Sequence, residues 1–122
     1  MTVPGTGKPA CKNIGLSINL DSMRECLKLA GAGEAPAGFR DSAFFEIMDR
    51  FLSLAGRWQA PLTIFVIGRD LEDPANRARV AEWSALGHEI GNHTYSHFQN
   101  LGNLPPARIR DEIRRTHDLI GA

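Results

Sequence analysis

Apolar and polar residues follow one another along the chain in patterns that predict strands and helices in turn. From Ile14 to Leu20 every second residue is apolar, which is the period of a β-strand. The segment from Leu62 to Ile67 is almost continuously apolar and is closed by Gly68, as in a strand that is covered on both faces of a parallel sheet. A third, short strand is predicted from His88 to Gly91.

Helical periodicity fills the segments between these strands. We expect a short helix or turn from Ser22 to Leu29, and a longer helix that is capped by Asp41 or Ser42 and ends at Gly56. The apolar residues of the longer helix recur at three- and four-residue steps, and we expect them all to lie in the core. They are Phe44, Ile47, Met48, Phe51, Leu52 and Ala55.

Proline residues mark the beginnings of two further helices. Asp73 and Pro74 are typical of an N-cap and first helical position, and that helix continues to Gly87. Pro105 and Pro106 open the last helix. One face of that helix is predicted to consist of Ile109, Ile113, Thr116 and Ile120. The order is therefore strand, helix, strand, helix, strand, helix, which predicts an α/β fold with a parallel sheet.

Groups that can bind a metal follow two of the predicted strands. Asp21 follows the first strand, and His93 and His97 follow the third. In parallel sheets, ligands bind at the carboxyl ends of the strands, so these three side chains are expected at the same edge. Residues four apart, such as His93 and His97, also face the same way where the segment is helical or turn-like. The sequence thus predicts a three-ligand metal site, and the open alternative is a pair of solvated loop histidines.

The metal and the neighbouring residues admit several interpretations. Two imidazoles and a carboxylate suit a catalytic zinc, but they also suit Fe(II), Mn(II) or Co(II). The zinc-protease pattern HExxH does not apply, because position 92 is Asn92 rather than histidine. We expect Glu89 to orient a ligating imidazole, His88 to help end the strand, and His117 to be a surface residue near the end of the last helix.

Composition narrows the classes of function. The chain has 122 residues with 14 basic and 14 acidic side chains, so its charge suggests neither nucleic acid nor an anionic membrane as a partner. The sequence contains no apolar run long enough to cross a membrane and no signal peptide, and a cytoplasmic location is expected. Cys11 and Cys26 are expected to be reduced thiols. Residues 1–12, rich in Pro, Gly and Lys, are expected to form a flexible arm.

Three stretches resemble a known family. The sequence from Gly87 to His97, GHEIGNHTYSH, resembles the metal motif of the polysaccharide deacetylase family, also called carbohydrate esterase family 4 or the NodB-homology domain. The stretch from Thr63 to Gly68 resembles the second-strand block of that family, and Ile109 to Ile113 resembles the segment after the metal motif. The resemblance extends from about residue 13 to residue 122, which we expect to be one truncated deacetylase-like domain.

The resemblance implies a fold, an activity and roles for individual residues. The fold would be a partial (β/α) barrel with about three parallel βα units, related to a seven-stranded barrel. The activity would be metal-dependent hydrolysis of carbon–nitrogen (non-peptide) or ester bonds in N- or O-acetylated carbohydrate. By position, Asp21, His93 and His97 would hold the metal, usually zinc, and a second aspartate would act as general base.

The sequence differs from the family pattern in two respects. The expected base position holds Asn19, whose amide can orient water but cannot accept a proton. The predicted strands number three, and the later motifs of the family are absent from the 122 residues. We therefore expect weak or no hydrolysis. The alternative is a non-catalytic metal-binding α/β module whose open sheet edges are completed by self-association or by a partner chain.

Overall fold

Three parallel strands form the centre of the structure. The computed structural model describes residues 13–121, so the predicted arm at 1–12 lies outside the described residues. The strands are β1 (Leu16–Leu20), β2 (Leu62–Val66) and β3 (Glu89–Asn92), with β2 in the middle. Leu20 pairs with Val66, and Val66 pairs with Asn92, so all three strands end at one edge of the sheet. The predicted α/β class with a parallel sheet is confirmed.

Within residues 13–121, four α-helices connect and flank the strands. They are α1 (Met23–Leu29), α2 (Met48–Arg57), α3 (Pro74–Ala85) and α4 (Pro106–Ile120). A π-helical turn at Ala43–Ile47 leads into α2, and 3₁₀ turns occupy Gly68–Glu72 and Leu101–Asn103. None of the helices in the described range is long and apolar enough to cross a membrane.

The core lies between the sheet and the helices α2 and α3. Ile64 and Val66 of β2 are fully buried, and Phe44 and Trp83 pack against one another with ring centroids 5.8 Å apart. A stacked aromatic pair of this kind adds about 1 kcal/mol to the free energy gained by burying its surface. The central strand is therefore the best-covered element, as its nearly continuous apolar sequence predicts.

The apolar stripe that leads into α2 is only partly in the core. Phe44, Met48 and Ala55 are buried, but Ile47 and Phe51 are 42% and 45% exposed. The prediction that the whole stripe is core is therefore wrong. A π turn contains more residues than an α turn, so it aligns Phe44 with Met48 and rotates Ile47 and Phe51 to the margin of the packed face.

The predicted inner face of α4 is also wrong at one position. Ile113 is 47% exposed, whereas Glu112 and Thr116 are buried. Thr116 packs against the 3₁₀ turn after β2, where a Cβ on Gly68 would lie only 2.3 Å from the threonine hydroxyl. Because this close approach needs the smallest residue, Gly68 fixes how α4 lies beside the carboxyl ends of the strands.

Candidate metal centre

Asp21 is the first residue after β1, and α1 begins directly behind it. The hydroxyl of Ser22 caps α1 by accepting a hydrogen bond from the backbone N–H of Glu25 (3.1 Å). The buried carboxylate of Asp41 accepts from the backbone N–H groups of Met23 (3.0 Å) and Arg24 (3.1 Å). These contacts satisfy the free N–H groups of the first turn and thereby fix the backbone next to Asp21.

The segment from His93 to His97, here called the histidine loop, is tied to the end of β2. The N–H of His93 donates to the carbonyl of Val66 (3.0 Å). The carbonyls of Thr94 and Tyr95 accept from the N–H groups of residues 68–69 (2.9 and 3.0 Å). The loop thus leaves the end of β3 and crosses the end of β2, towards Asp21 at the end of β1.

The histidine loop is not helical. Thr94 and His97 adopt φ values of 63° and 53°, in the left-handed region that non-glycine residues rarely occupy. Such a conformation is unfavourable by on the order of 1 kcal/mol per residue and persists only where surrounding contacts hold it. The two imidazoles nevertheless come together, with ring centroids 4.7 Å apart. They do so through this constrained loop and not through a helical turn.

Glu112 of α4 is the contact that holds the histidine loop from the other side. One carboxylate oxygen accepts from the backbone N–H groups of Tyr95 (3.1 Å) and Ser96 (2.7 Å), and the other accepts from the Ser96 hydroxyl (2.9 Å). The glutamate is 4% exposed. Hydrogen bonds to a buried carboxylate are among the stronger ones in proteins, so α4 is a main determinant of the loop conformation.

Asp21, His93 and His97 converge at the carboxyl edge of the sheet. One ligand atom from each residue lies within 4.8 Å of the other two. The carboxylate oxygen Oδ1 of Asp21 is 3.4 Å from Nε2 of His93 and 3.7 Å from Nε2 of His97. Two ligands that are each about 2.1 Å from a tetrahedral zinc lie about 3.4 Å apart, so the two distances from Asp21 to the imidazoles are close to those around a shared ion.

The Nε2 atom of His93 is buried and has no hydrogen-bond partner within residues 13–121. Burial lowers the pKa of His93 below its ordinary value, and nearby His97 lowers it further, although Asp21 acts in the opposite direction. The neutral imidazole that this favours has a free lone pair, which is the form that binds a metal. An unpaired nitrogen that faces a carboxylate and a second imidazole therefore fits a metal ligand.

Comparison with known protein families matches residues 41–122 to the polysaccharide deacetylase family. The matched range covers about two thirds of the chain and includes both histidines of the triad. The chain belongs to the polysaccharide deacetylase family. A search of curated proteins finds no match.

The match to the polysaccharide deacetylase family begins after Asp21. Asp21 is therefore assigned to the triad by its position in the structure, where β1 brings it to the two histidines. Asn19 lies within β1, is exposed and pairs with Phe65 of β2. It stands two residues before Asp21, at the position where the resemblance to the family led us to expect a base.

Three other residues that the sequence analysis singled out lie apart from the triad. Glu89 is exposed and accepts a hydrogen bond from the Thr63 hydroxyl (2.6 Å), so the prediction that it orients an imidazole is wrong. His88 precedes β3 and accepts from the backbone N–H of Leu62 (3.1 Å), the first residue of β2, so the prediction that it helps to end a strand is wrong. His117 is exposed near the end of α4, as predicted.

No role was assigned from the sequence to Glu25 or Glu112. Both are buried acids that contact the histidine loop, Glu25 at the His97 ring and Glu112 at the backbone. A signal for Glu25 was present, because Ser22 to Glu25 has the S-x-x-E spacing of a capping box, which places a glutamate beside the start of α1. In the structure the carboxylate of Glu25 contacts Lys28, Arg69 and the ring of His97 instead.

A cavity of about 750 Å³ lies beside the candidate site. Its lining includes Lys28 and Arg69, both of which also contact Glu25. None of the three triad residues lines it. The triad is instead partly open to solvent, with the Asp21 side chain 43% exposed and the two imidazoles about half as exposed.

Proposed function

We propose that this chain is a metal-dependent hydrolase of carbon–nitrogen (non-peptide) or ester bonds, acting as a deacetylase on N- or O-acetylated carbohydrate. Asp21, His93 and His97 hold the metal, which is zinc. The observation that carries the proposal is the convergence of these three ligand atoms within 4.8 Å. Membership of the polysaccharide deacetylase family supports acetylated carbohydrate as the substrate class.

The donor set supports zinc among the divalent metals. Two neutral imidazoles and one carboxylate are a common set of protein ligands at catalytic zinc sites, and they leave a fourth position for water. The same donors also bind Fe(II), Mn(II) and Co(II), so these ions are the competitors in a binding experiment. A zinc ion held here would polarise the acetyl carbonyl and lower the pKa of the attacking water.

The residues of this chain support only part of the reaction. The amide of Asn19 can orient a water molecule through hydrogen bonds, but it cannot accept a proton. General-base catalysis contributes about 10²- to 10⁴-fold to the rate of such reactions. We therefore propose that hydrolysis by these 122 residues is weak or absent and that Asn19 is one cause.

The fold of the proposed enzyme is a partial (β/α) barrel. Three parallel strands in the order β1-β2-β3, with the triad at their carboxyl edge, are compatible with the first units of such a barrel. The remaining strands of a barrel would complete the wall around the triad. The proposed domain extends from residue 13 to residue 122.

Zinc titration by calorimetry tests the metal site. We expect the purified chain to bind one zinc ion and His93→Ala to weaken binding by more than about 100-fold, because loss of a ligand exceeds the 10- to 100-fold effect of losing an outer partner. His117→Ala, which removes an exposed histidine outside the triad, is the matched control and should bind as the unmodified chain does. Absence of binding by the folded, unmodified chain would refute the proposal.

Turnover separates the hydrolase from the second candidate, a non-catalytic metal-binding module. The second candidate is favoured by Asn19 and by the two sheet edges that are open within the described residues. The assay follows release of acetate from an N-acetylglucosamine oligomer by the zinc-loaded chain and by Asn19→Asp. Activity that rises in Asn19→Asp supports the hydrolase, and zinc binding without turnover in either form supports the module.

A further inference from the structure

Glu25 is a buried carboxylate between α1 and the histidine loop. Its side chain is 1% exposed. Two cations share it: Arg69 approaches one carboxylate oxygen at 2.9 Å, and Lys28 lies 3.1 Å from the other. The buried charge is thus compensated, as buried carboxylates require. The proposed reaction assigns Glu25 no role.

The third neighbour of Glu25 is the imidazole of His97. Oε1 of Glu25 lies 3.4 Å from Nδ1 of His97, and Oδ1 of Asp21 lies 3.7 Å from Nε2 of the same ring. The two carboxylates therefore flank opposite nitrogens. A proton on Nδ1 points to Glu25 and leaves the lone pair of Nε2 facing the triad, whereas the other tautomer directs a proton at the metal position.

Two contacts favour the opposite tautomer. Oδ1 of Asp21 attracts a proton on Nε2, but it lies 3.7 Å away, beyond hydrogen-bond distance, and the Asp21 side chain is 43% exposed. The Gln99 amide nitrogen lies 3.5 Å from Nδ1 of His97 and would donate to that nitrogen if it carried no proton. Gln99 is exposed and uncharged, and its contact is longer than that of Glu25. A hydrogen bond to a buried carboxylate is stronger than one to an exposed amide, so the contact with Glu25 favours the tautomer with its proton on Nδ1.

We propose that Glu25 is a positioning residue that holds His97 with its proton on Nδ1 and its Nε2 lone pair directed at the metal. This inference rests on the proposed function, because it concerns the same site. Lys28 strengthens the arrangement, since its ammonium group also donates to the carbonyl of Ser96 (3.3 Å) in the histidine loop. Arg69 also links Glu25 to the loop, because its backbone N–H donates a hydrogen bond to the carbonyl of Tyr95 (3.0 Å). Glu25 is thus held by groups that also hold the loop.

The first experiment measures the tautomer of His97 in the metal-free protein by ¹⁵N imidazole NMR, at about pH 8, above the ordinary pKa of histidine. We expect a proton on Nδ1 in the unmodified chain and a shift to the Nε2-protonated form in Glu25→Ala. Glu25→Gln should retain the Nδ1 proton, because its amide oxygen still accepts a hydrogen bond. Glu82→Gln is the control: it alters an exposed carboxylate of α3 that contacts Arg79 and not His97.

The second experiment is zinc titration of the same variants. Glu25→Ala should bind zinc about 10- to 100-fold more weakly than the unmodified chain, and Glu25→Gln should lie between them. An unchanged His97 tautomer in Glu25→Ala overturns the inference, whatever the zinc affinity. If the unmodified chain binds no zinc, the proposed function fails, while the tautomer measurement still decides whether Glu25 orients His97.

Discussion

Asp70, a buried residue near the candidate site, has a pKa well above the ordinary value of an aspartate. It lies in the 3₁₀ turn after β2, is 6% exposed, and its Oδ2 atom has no hydrogen-bond partner within the described residues. Burial raises the pKa of Asp70 from 3.8 to about 6, and a hydrogen bond with Ser22 opposes the shift only in part. The carboxylates of Asp41 and Glu25 add to the increase.

This raised pKa predicts a stability that falls as the pH rises. Between about pH 4 and pH 6 the unfolded chain has released the proton of Asp70 while the folded chain retains it, so the unfolded state is favoured progressively. The loss levels off above about pH 6 and amounts to about 3 kcal/mol at most, since one pKa unit corresponds to about 1.4 kcal/mol. Asp70→Asn, which has no such ionisation, should lack this part of the pH dependence.

Urea denaturation at a series of pH values measures the effect of Asp70. The difference in free energy of unfolding between Asp70→Asn and the unmodified chain should shift in favour of the variant as the pH rises from about 4 to 7. Glu89→Gln, at an exposed carboxylate of β3, controls for the loss of one charge. Parallel pH profiles for Asp70→Asn and the unmodified chain would contradict the assignment.

At the scale of secondary-structure elements, α4 and the histidine loop form one unit through Glu112. Glu112→Ala leaves the N–H groups of Tyr95 and Ser96 without an acceptor, so we expect a loss of about 3 kcal/mol in the free energy of unfolding and faster amide hydrogen exchange at these two residues. Glu112→Gln should recover part of the loss, because its amide oxygen still accepts. Asp111→Ala, at an exposed neighbour, is the control.

Hydrogen exchange makes the Glu112 prediction specific to the loop. A variant that merely weakens α4 would accelerate exchange along the helix without singling out Tyr95 and Ser96. If the exchange of those two amides is unchanged in Glu112→Ala, α4 does not hold the histidine loop.

The elements that local patterns describe were predicted well, and contacts between distant residues were not. Alternating residues located β1, and the general rule for parallel sheets put Asp21 at the edge occupied by the histidines, as the structure has it. The role of Glu25 depends on a contact across 72 residues, and that of Glu112 on contacts across 16 and 17. Helical periodicity counts apolar residues, so it favoured Ile113 over the buried Glu112 for the inner face of α4.

At the scale of the whole molecule, the sheet has two strands with only one neighbour each. Within residues 13–121, β1 and β3 pair with β2 alone, so each leaves one row of backbone hydrogen-bonding groups without a strand partner. Apolar side chains are exposed beside the free edge of β1, with Ile14 85% and Leu16 48% exposed. Unpaired edges with apolar side chains favour association through strand pairing.

We therefore predict that this chain self-associates and that Leu16→Lys weakens the association about tenfold, or about 1.4 kcal/mol, because a charged residue at an edge strand opposes pairing. Sedimentation velocity over a range of concentrations measures it. Leu86→Lys, at a 70% exposed leucine at the end of α3, is the control, and an equal effect there would indicate unspecific apolar contact. Because Asp21, His93 and His97 come from one chain, the Leu16→Lys variant, at a concentration where sedimentation shows it to be monomeric, should bind zinc as tightly as the unmodified chain. Weaker zinc binding by that monomer would mean that the site needs a second copy for its support.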